Sequence, residues 1–236
     1  MTNYAIDESQ QKAAKLLAIA YLSTFVIVVS VNFGIYDPLH VAGDAGETAR
    51  RISANKHLFR LGIVLDLLYA IGFTVIISSL YHILKDINRR TAVIATFWHS
   101  VYVFVWVMLT LKFFDALRLA SGAKYLGVFA DENLHSLARL FLWARFDRYY
   151  GVLLFYSLGS MLFNYLWYKS GYIPKWLSLW GVIACAWCAV CAIAYLLYPA
   201  FENTVNIWIY DTPMALFDIV LSVWLLTKGL KKSPIL

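Results

Sequence analysis

A chain of 236 residues that is 61% hydrophobic and only 14% charged has too little polar surface to coat a soluble globule of its size. Lipid must be the solvent for most of its side chains, which excludes a soluble globular domain. Three cysteines do not make a secreted disulfide framework. The net charge of +6 comes without a basic run interleaved with aromatics, so it excludes nucleic acid as a partner and reads as positive-inside bias.

Taken in chain order, about six apolar stretches approach the roughly 20 residues needed to cross a hydrocarbon layer. The first spans about 13–35. Asp7 and Glu8 stand before it instead of a basic n-region, which argues against a cleaved signal peptide. In the loop that follows, Asp44 and Glu47 have capping-box spacing, with Asp in place of Ser or Thr, and predict a short helix from about Ala45 to Lys56. The second span covers about 59–84 and the third about 91–119. The tight polar turn of Lys85, Asp86, Asn88, Arg89 and Arg90 makes them antiparallel neighbours. In the next loop Asp131 predicts the N-cap of a helix in which Leu134, Leu137, Ala138 and Phe141 recur at helical spacing; both loop helices read as interfacial. The fourth span covers about 146–168, the fifth, after Gly171 and Pro174, about 175–198, and the sixth about 207–227. The expected fold is an all-α polytopic integral membrane helix bundle, one domain over 1–236, with short interfacial helices in the outer loops.

An even number of spans puts both termini on one side. The short turns and the tail carry Lys12, Lys15, Lys85, Arg89, Arg90, Lys169, Lys175, Lys228, Lys231 and Lys232, which places the termini in the cytoplasm and the protein in the cell membrane. Trp143, Trp167, Trp176 and Trp208 near the span ends read as aromatic belts.

The string Gly43-Asp44-Ala45-Gly46-Glu47-Thr48-Ala49, followed by Leu58-Phe59-Arg60-Leu61-Gly62-Ile63, resembles the bacterial membrane family catalogued as domain of unknown function 4386. Leu80-Tyr81 with Lys85 and Asn88-Arg89-Arg90, Ser121-Gly122, Tyr125-Leu126, Lys169-Ser170-Gly171-Tyr172-Ile173-Pro174, and Trp224-Leu225-Leu226 with Lys228-Gly229 extend the resemblance over nearly the whole chain. It implies a membrane protein and carries no activity. Two places depart from the family pattern: Asp147-Arg148-Tyr149-Tyr150-Gly151, where His or Gly is usual, and Asp218, where Glu is more frequent.

An ionisable side chain at mid-bilayer costs about 2.5 to 3.5 kcal/mol on insertion scales, so it demands a partner or a water-filled cavity. Asp66, His99, Lys112, Asp115, Asp147, Asp211 and Asp218 are such residues. Asp66 falls roughly 10 Å below the outer boundary at the helical rise per residue, and Asp211 and Asp218, seven apart, share a face. Lys112, Asp115 and Arg118 recur every three residues as an intrahelical salt-bridge ladder. His99 lies about 220° around the same helix from Lys112 and faces elsewhere. The expectation is an outward-opening polar pocket lined by Asp66, Lys112, Asp115, Asp147, Arg148 and Asp211. Asp218 forms its floor, Tyr69 supplies a hydroxyl and the loop helices form a lid. Snorkelling and pairing at the interface is the plainer reading of Lys112, Asp115, Asp147 and Arg148. Asp66 and Asp218 have one methylene each and cannot reach the headgroups. Pro213 reads either as a hinge in the sixth span or as an innocuous first-turn proline.

Cys185, Cys188 and Cys191 sit among alanines and read as small packing residues, not metal ligands. The scattered histidines, His82 and His99 included, imply neither haem nor metal; no cofactor is implied. Three functions stay open. The first is binding or transport of a small cationic or amphiphilic molecule by buried carboxylates, with membrane lipid as surroundings and a homo-oligomer as the working form. The second is an intramembrane enzyme acting on a lipid or isoprenoid at the outer leaflet, with Asp66 or Asp218 as base and Arg148 or Lys112 holding an anionic headgroup. The third is a sensor or partner subunit whose polar residues only join helices.

Overall fold

The computed structural model describes residues 6–41, 44–120, 131–198, 200–201, 204–205 and 207–231; for 45, 120, 131–150, 207 and 208 it describes the helical backbone alone. The described residues form helices and short turns, with no strand among them.

Helix α1, Glu8–Val31, opens about one and a half turns ahead of the apolar stretch because it has a capping box. Asp7 Oδ1 accepts from the Gln10 amide at 2.6 Å while Gln10 Oε1 accepts from the Asp7 amide at 3.2 Å, satisfying two of the donors that a helix start leaves open. The helix continues through a π-helical turn, Asn32–Tyr36, into α2, Asp37–Leu39. Helix α3 runs Ala45–Ala54, with the Asp44 carboxylate accepting from the Glu47 amide at 2.9 Å as the spacing predicts. It stops short of Lys56 because Asn55 leaves helical geometry, and α4, Lys56–Leu84, starts at once. Helix α5 is Arg89–Ala120, capped by Asn88 Oδ1 on the Thr91 amide at 3.0 Å.

Helix α6 departs from expectation. A loop helix beginning at Asp131 and a separate span beginning near Phe146 are one helix, Asp131–Ser170. Between its ends there is no proline and nothing weaker as a helix former than Gly151 and Gly159, so no residue interrupts it. It ends at Gly171 in the left-handed region (φ 67°), before Pro174 and α7, Lys175–Leu197. Helix α8 is Ile207–Thr227, which places Pro213 inside the helix instead of in its first turn. The amide that Pro213 lacks leaves the Ile209 carbonyl without its helical donor.

Among the described residues, five helical segments are long and apolar enough to cross a membrane: Glu8–Leu39, Lys56–Leu84, Arg89–Leu119, Lys175–Leu197 and Ile209–Thr227. Large apolar side chains such as Val26, Phe104, Ile183 and Val190 are exposed, which water penalises and lipid does not. The protein is a multi-pass, membrane-embedded helix bundle.

The chain gathers into two compact units. One comprises Met1–Ser23, Gly72–Val103 and Tyr150–Leu236, the other Thr24–Ile71 and Phe104–Tyr149. In the second, Ile52 of α3 packs with Ile35, Leu39, Phe59, Ile63 and Phe113 into a buried apolar cluster. The polar side of α3 carries Glu47, whose carboxylate takes two hydrogen bonds from Arg50 (2.6 and 2.8 Å) and one from Arg51 (2.9 Å). These two guanidinium groups, Arg50 first, hold Glu47 down to about 2. In the first unit, polar side chains tie the ends of helices together. Ser9 Oγ bonds His82 Nε2 at 2.9 Å, Gln11 bonds Leu230 through both its amide nitrogen (3.0 Å) and its amide oxygen (3.1 Å), and the Lys231 amide donates to the Tyr172 carbonyl at 2.8 Å.

Candidate functional site

Of the expected pocket residues, Asp66, Tyr69, Lys112 and Asp115 belong to the second unit and Asp211 and Asp218 to the first, while the side chains of Asp147 and Arg148 lie outside the described residues.

In the second unit Asp66 is 3% exposed and accepts a hydrogen bond from the Tyr36 hydroxyl at 2.9 Å. Three local features aim that phenol. The π-helical turn puts one extra residue into the helix, so that the Asp37 amide reaches back to the Asn32 carbonyl, and Tyr36 is the last residue of that turn. The Asn32 side-chain amide donates to the Val28 carbonyl at 2.7 Å at the point where the hydrogen-bond register changes. One turn before Asp66 on α4, Gly62 leaves the space that the Tyr36 ring fills; a Cβ there would come within 2.9 to 3.1 Å of three of its atoms. Phe59 and Phe113 meet the same ring edge to face, with centroids 5.5 and 5.0 Å away. Tyr69 is buried against Trp106, 4.7 Å between centroids.

Lys112, Asp115 and Arg118 form the ladder that their spacing predicts. Lys112 Nζ lies 3.4 Å and Arg118 Nη1 3.9 Å from the Asp115 carboxylate, and all three side chains are exposed by a third or more. Exposed pairs of this kind are worth little and need no pocket to explain them.

The first unit holds a denser polar group. On α6, Tyr156, Ser160 and Asn164 recur every four residues, which sets them on one face of an otherwise apolar helix. The Tyr156 hydroxyl donates to the half-buried Asp218 carboxylate on α8, and Ser222 Oγ donates to the Asp218 carbonyl at 2.7 Å. Ser160 Oγ lies 3.0 Å from His99 Nε2. His99 is fully buried between the rings of Phe73, Tyr156 and Phe163, with centroids 5.3 to 5.5 Å away, and its Nδ1 has no hydrogen-bond partner among the described residues. Gly159 makes room for that imidazole: a Cβ would overlap the His99 ring, reaching 2.9 Å from Nε2. Asn164 donates its amide hydrogen to Cys185 Sγ at 3.5 Å. Ser160, Asn164 and Asp218 together line a small cavity, closed otherwise by Tyr21, Leu80, Phe163, Trp167, Phe217 and Leu221. It has room for about one water molecule. Among the described residues no Lys, Arg or His nitrogen comes within ion-pair distance of Asp218. A carboxylate beside a hydroxyl, an amide and a phenol can take up a proton or a small cation; no side chain there is arranged as an activated nucleophile.

The sequence model of one family, described as a domain of unknown function (DUF4386), matches residues 16–229. The chain belongs to the DUF4386 family. The matched stretch contains both Asp66 and Asp218 with the tyrosines that hold them, so the two carboxylate groupings lie within the family's own domain and not in an appended segment. Neither a curated protein nor a solved structure matches the chain. Of the DUF4386 strings in this sequence, Gly62 gains a physical reason from the Tyr36 ring, while Ser121-Gly122 and Tyr125-Leu126 lie outside the described residues.

Tyr36, Tyr156, Ser160 and Asn164 are the site residues that reasoning from charged groups misses. The last three carry a legible signal, a polar stripe at spacing four through an apolar span. Tyr36 carries none, since its position depends on the extra residue in the π-helical turn.

Proposed function

We propose that this protein binds or translocates a small cationic or amphiphilic molecule within the membrane, with Asp66 and Asp218 as the contacting carboxylates. One observation supports this most. Asp218 borders a polar cavity with a phenol as donor and no basic side chain in ion-pair range among the described residues, so its charge is available to an incoming cation or proton. Intramembrane carboxylates are expensive to insert and mark ion and substrate paths. The basic residues of the short turns favour cytoplasmic termini in the cell membrane.

The test is native mass spectrometry of the full chain released from lipid nanodiscs, comparing wild type with Asp66→Asn and Asp218→Asn. A co-purifying mass present in the wild type and lost from a folded variant supports the reading and weighs the molecule. Equal adducts on all three proteins refute it in favour of carboxylates that only join helices. The same spectra report the oligomeric state.

A further inference from the structure

The cavity beside Asp218 has a composition that selects one kind of occupant. Its lining includes the oxygen-bearing side chains of Asp218, Ser160 and Asn164, and the Asn164 amide nitrogen is already committed to Cys185. We propose that it is a binding site for one desolvated alkali-metal cation no larger than a water molecule. The assignment rests on the broader reading that Asp218 meets a cationic ligand, and it names the ligand.

Three physical arguments converge. Oxygen donors of this kind suit a hard cation and give a soft one nothing to bind, since no sulfur lines the cavity. The lining contains one carboxylate, so a singly charged ion leaves the site neutral, whereas a divalent ion would leave an uncompensated positive charge in a medium that penalises it heavily. Space for about one water molecule admits a small dehydrated ion and excludes a hydrated one or an organic ammonium bearing alkyl groups.

Neighbouring residues prepare the donors. His99 Nε2 lies 3.0 Å from Ser160 Oγ, and this hydrogen bond fixes the position of the hydroxyl. The Tyr156 hydroxyl fixes the orientation of the carboxylate. Gly159 lets the imidazole approach closely enough to do this, so His99 and Gly159 are positioning residues and touch no ligand.

The experiment uses the full chain in nanodiscs of zwitterionic lipid, in choline chloride, titrated with sodium chloride or potassium chloride at constant ionic strength. The readout is the unfolding temperature by tryptophan fluorescence; Trp167 is part of the cavity wall. Sodium and potassium raise the unfolding temperature saturably above that in choline chloride, as ligand linkage requires. Asp218→Asn abolishes the effect, and Ser160→Ala or Asn164→Ala weakens the apparent affinity by about tenfold, the scale of one lost ligand. Ser157→Ala, whose hydroxyl bonds the Leu153 carbonyl of its own helix at 2.7 Å, leaves the sodium response unchanged. No shift with either salt, or wild-type sodium affinity in the Ser160 and Asn164 variants, overturns the site even if Asp218→Asn fails to fold. If the salts have no effect while Asp218→Asn still loses a co-purifying mass, the cation assignment falls and the broader function stands; if neither is seen, both fall.

Discussion

Tyr36→Phe removes one oxygen and keeps the ring, which makes it the cleanest probe of the second unit. The phenyl group retains its edge-to-face contacts with Phe59 and Phe113, at 5.5 and 5.0 Å, and still fills the space that Gly62 leaves. What is lost is the 2.9 Å bond to a carboxylate that is 3% exposed and has little access to solvent in compensation. A hydrogen bond to a charged group contributes about 1.5 to 3 kcal/mol, whereas interhelical hydrogen bonds between neutral groups in a bilayer average about 0.6. For an ionised Asp66 the expected loss is therefore about 1.5 to 3 kcal/mol. That is a fall of roughly 3 to 12 °C in unfolding temperature, at the 2 to 4 °C per kcal/mol of a chain of this size. The assay is thermal unfolding in nanodiscs of wild type, Tyr36→Phe, Asp66→Asn and the double variant. A coupling above about 0.5 kcal/mol between the two sites marks a direct interaction. Additive effects, or a Tyr36→Phe protein within about 0.5 kcal/mol of wild type, would refute the reasoning.

Gly62→Ala should destabilise by about 1 to 3 kcal/mol, because its Cβ meets the ring that Phe59 and Phe113 hold in place; thermal unfolding reads the loss. Asp44→Ala removes the α3 cap and should cost about 1 kcal/mol, seen as faster amide exchange in the first turn of α3. The ion pairs of Glu47 stabilise α3 fully above the ordinary carboxylate value of 4.5 and are lost as the pH falls towards about 2, since the folded state binds its proton less readily than the unfolded. A spin label at the exposed Ser53 should gain mobility over that window, and in Glu47→Gln it should be mobile throughout. Lys112→Ala should change stability by less than about 0.5 kcal/mol and leave any co-purifying ligand in place, as an exposed ladder requires; loss of the ligand would return Lys112 to the site.

Helix positions are legible in this sequence because lipid imposes a length and a hydropathy that few other environments do, and the ends follow from local chemistry at Asp7, Asp44, Asn88 and Pro174. The continuity of α6 is harder to read. The polar residues from Asp131 onward suggest an interface, but polarity does not end a helix; only a breaker or a cap does, and none occurs before Gly171. Asp66 and Asp218 stand out because a carboxylate in an apolar run is costly; Tyr156 shows only through the stripe it shares with Ser160 and Asn164, and Tyr36 looks like any other aromatic of a membrane helix. The ladder of Lys112, Asp115 and Arg118 is written in its spacing.

The π-helical turn is also an arithmetic fact about the chain. A turn of five where four would close is one residue in excess, and it rotates everything before it by about 100° relative to everything after. Deleting a single residue between Val31 and Tyr36 would restore an ordinary helix and carry the phenol to another face, away from the Asp66 carboxylate.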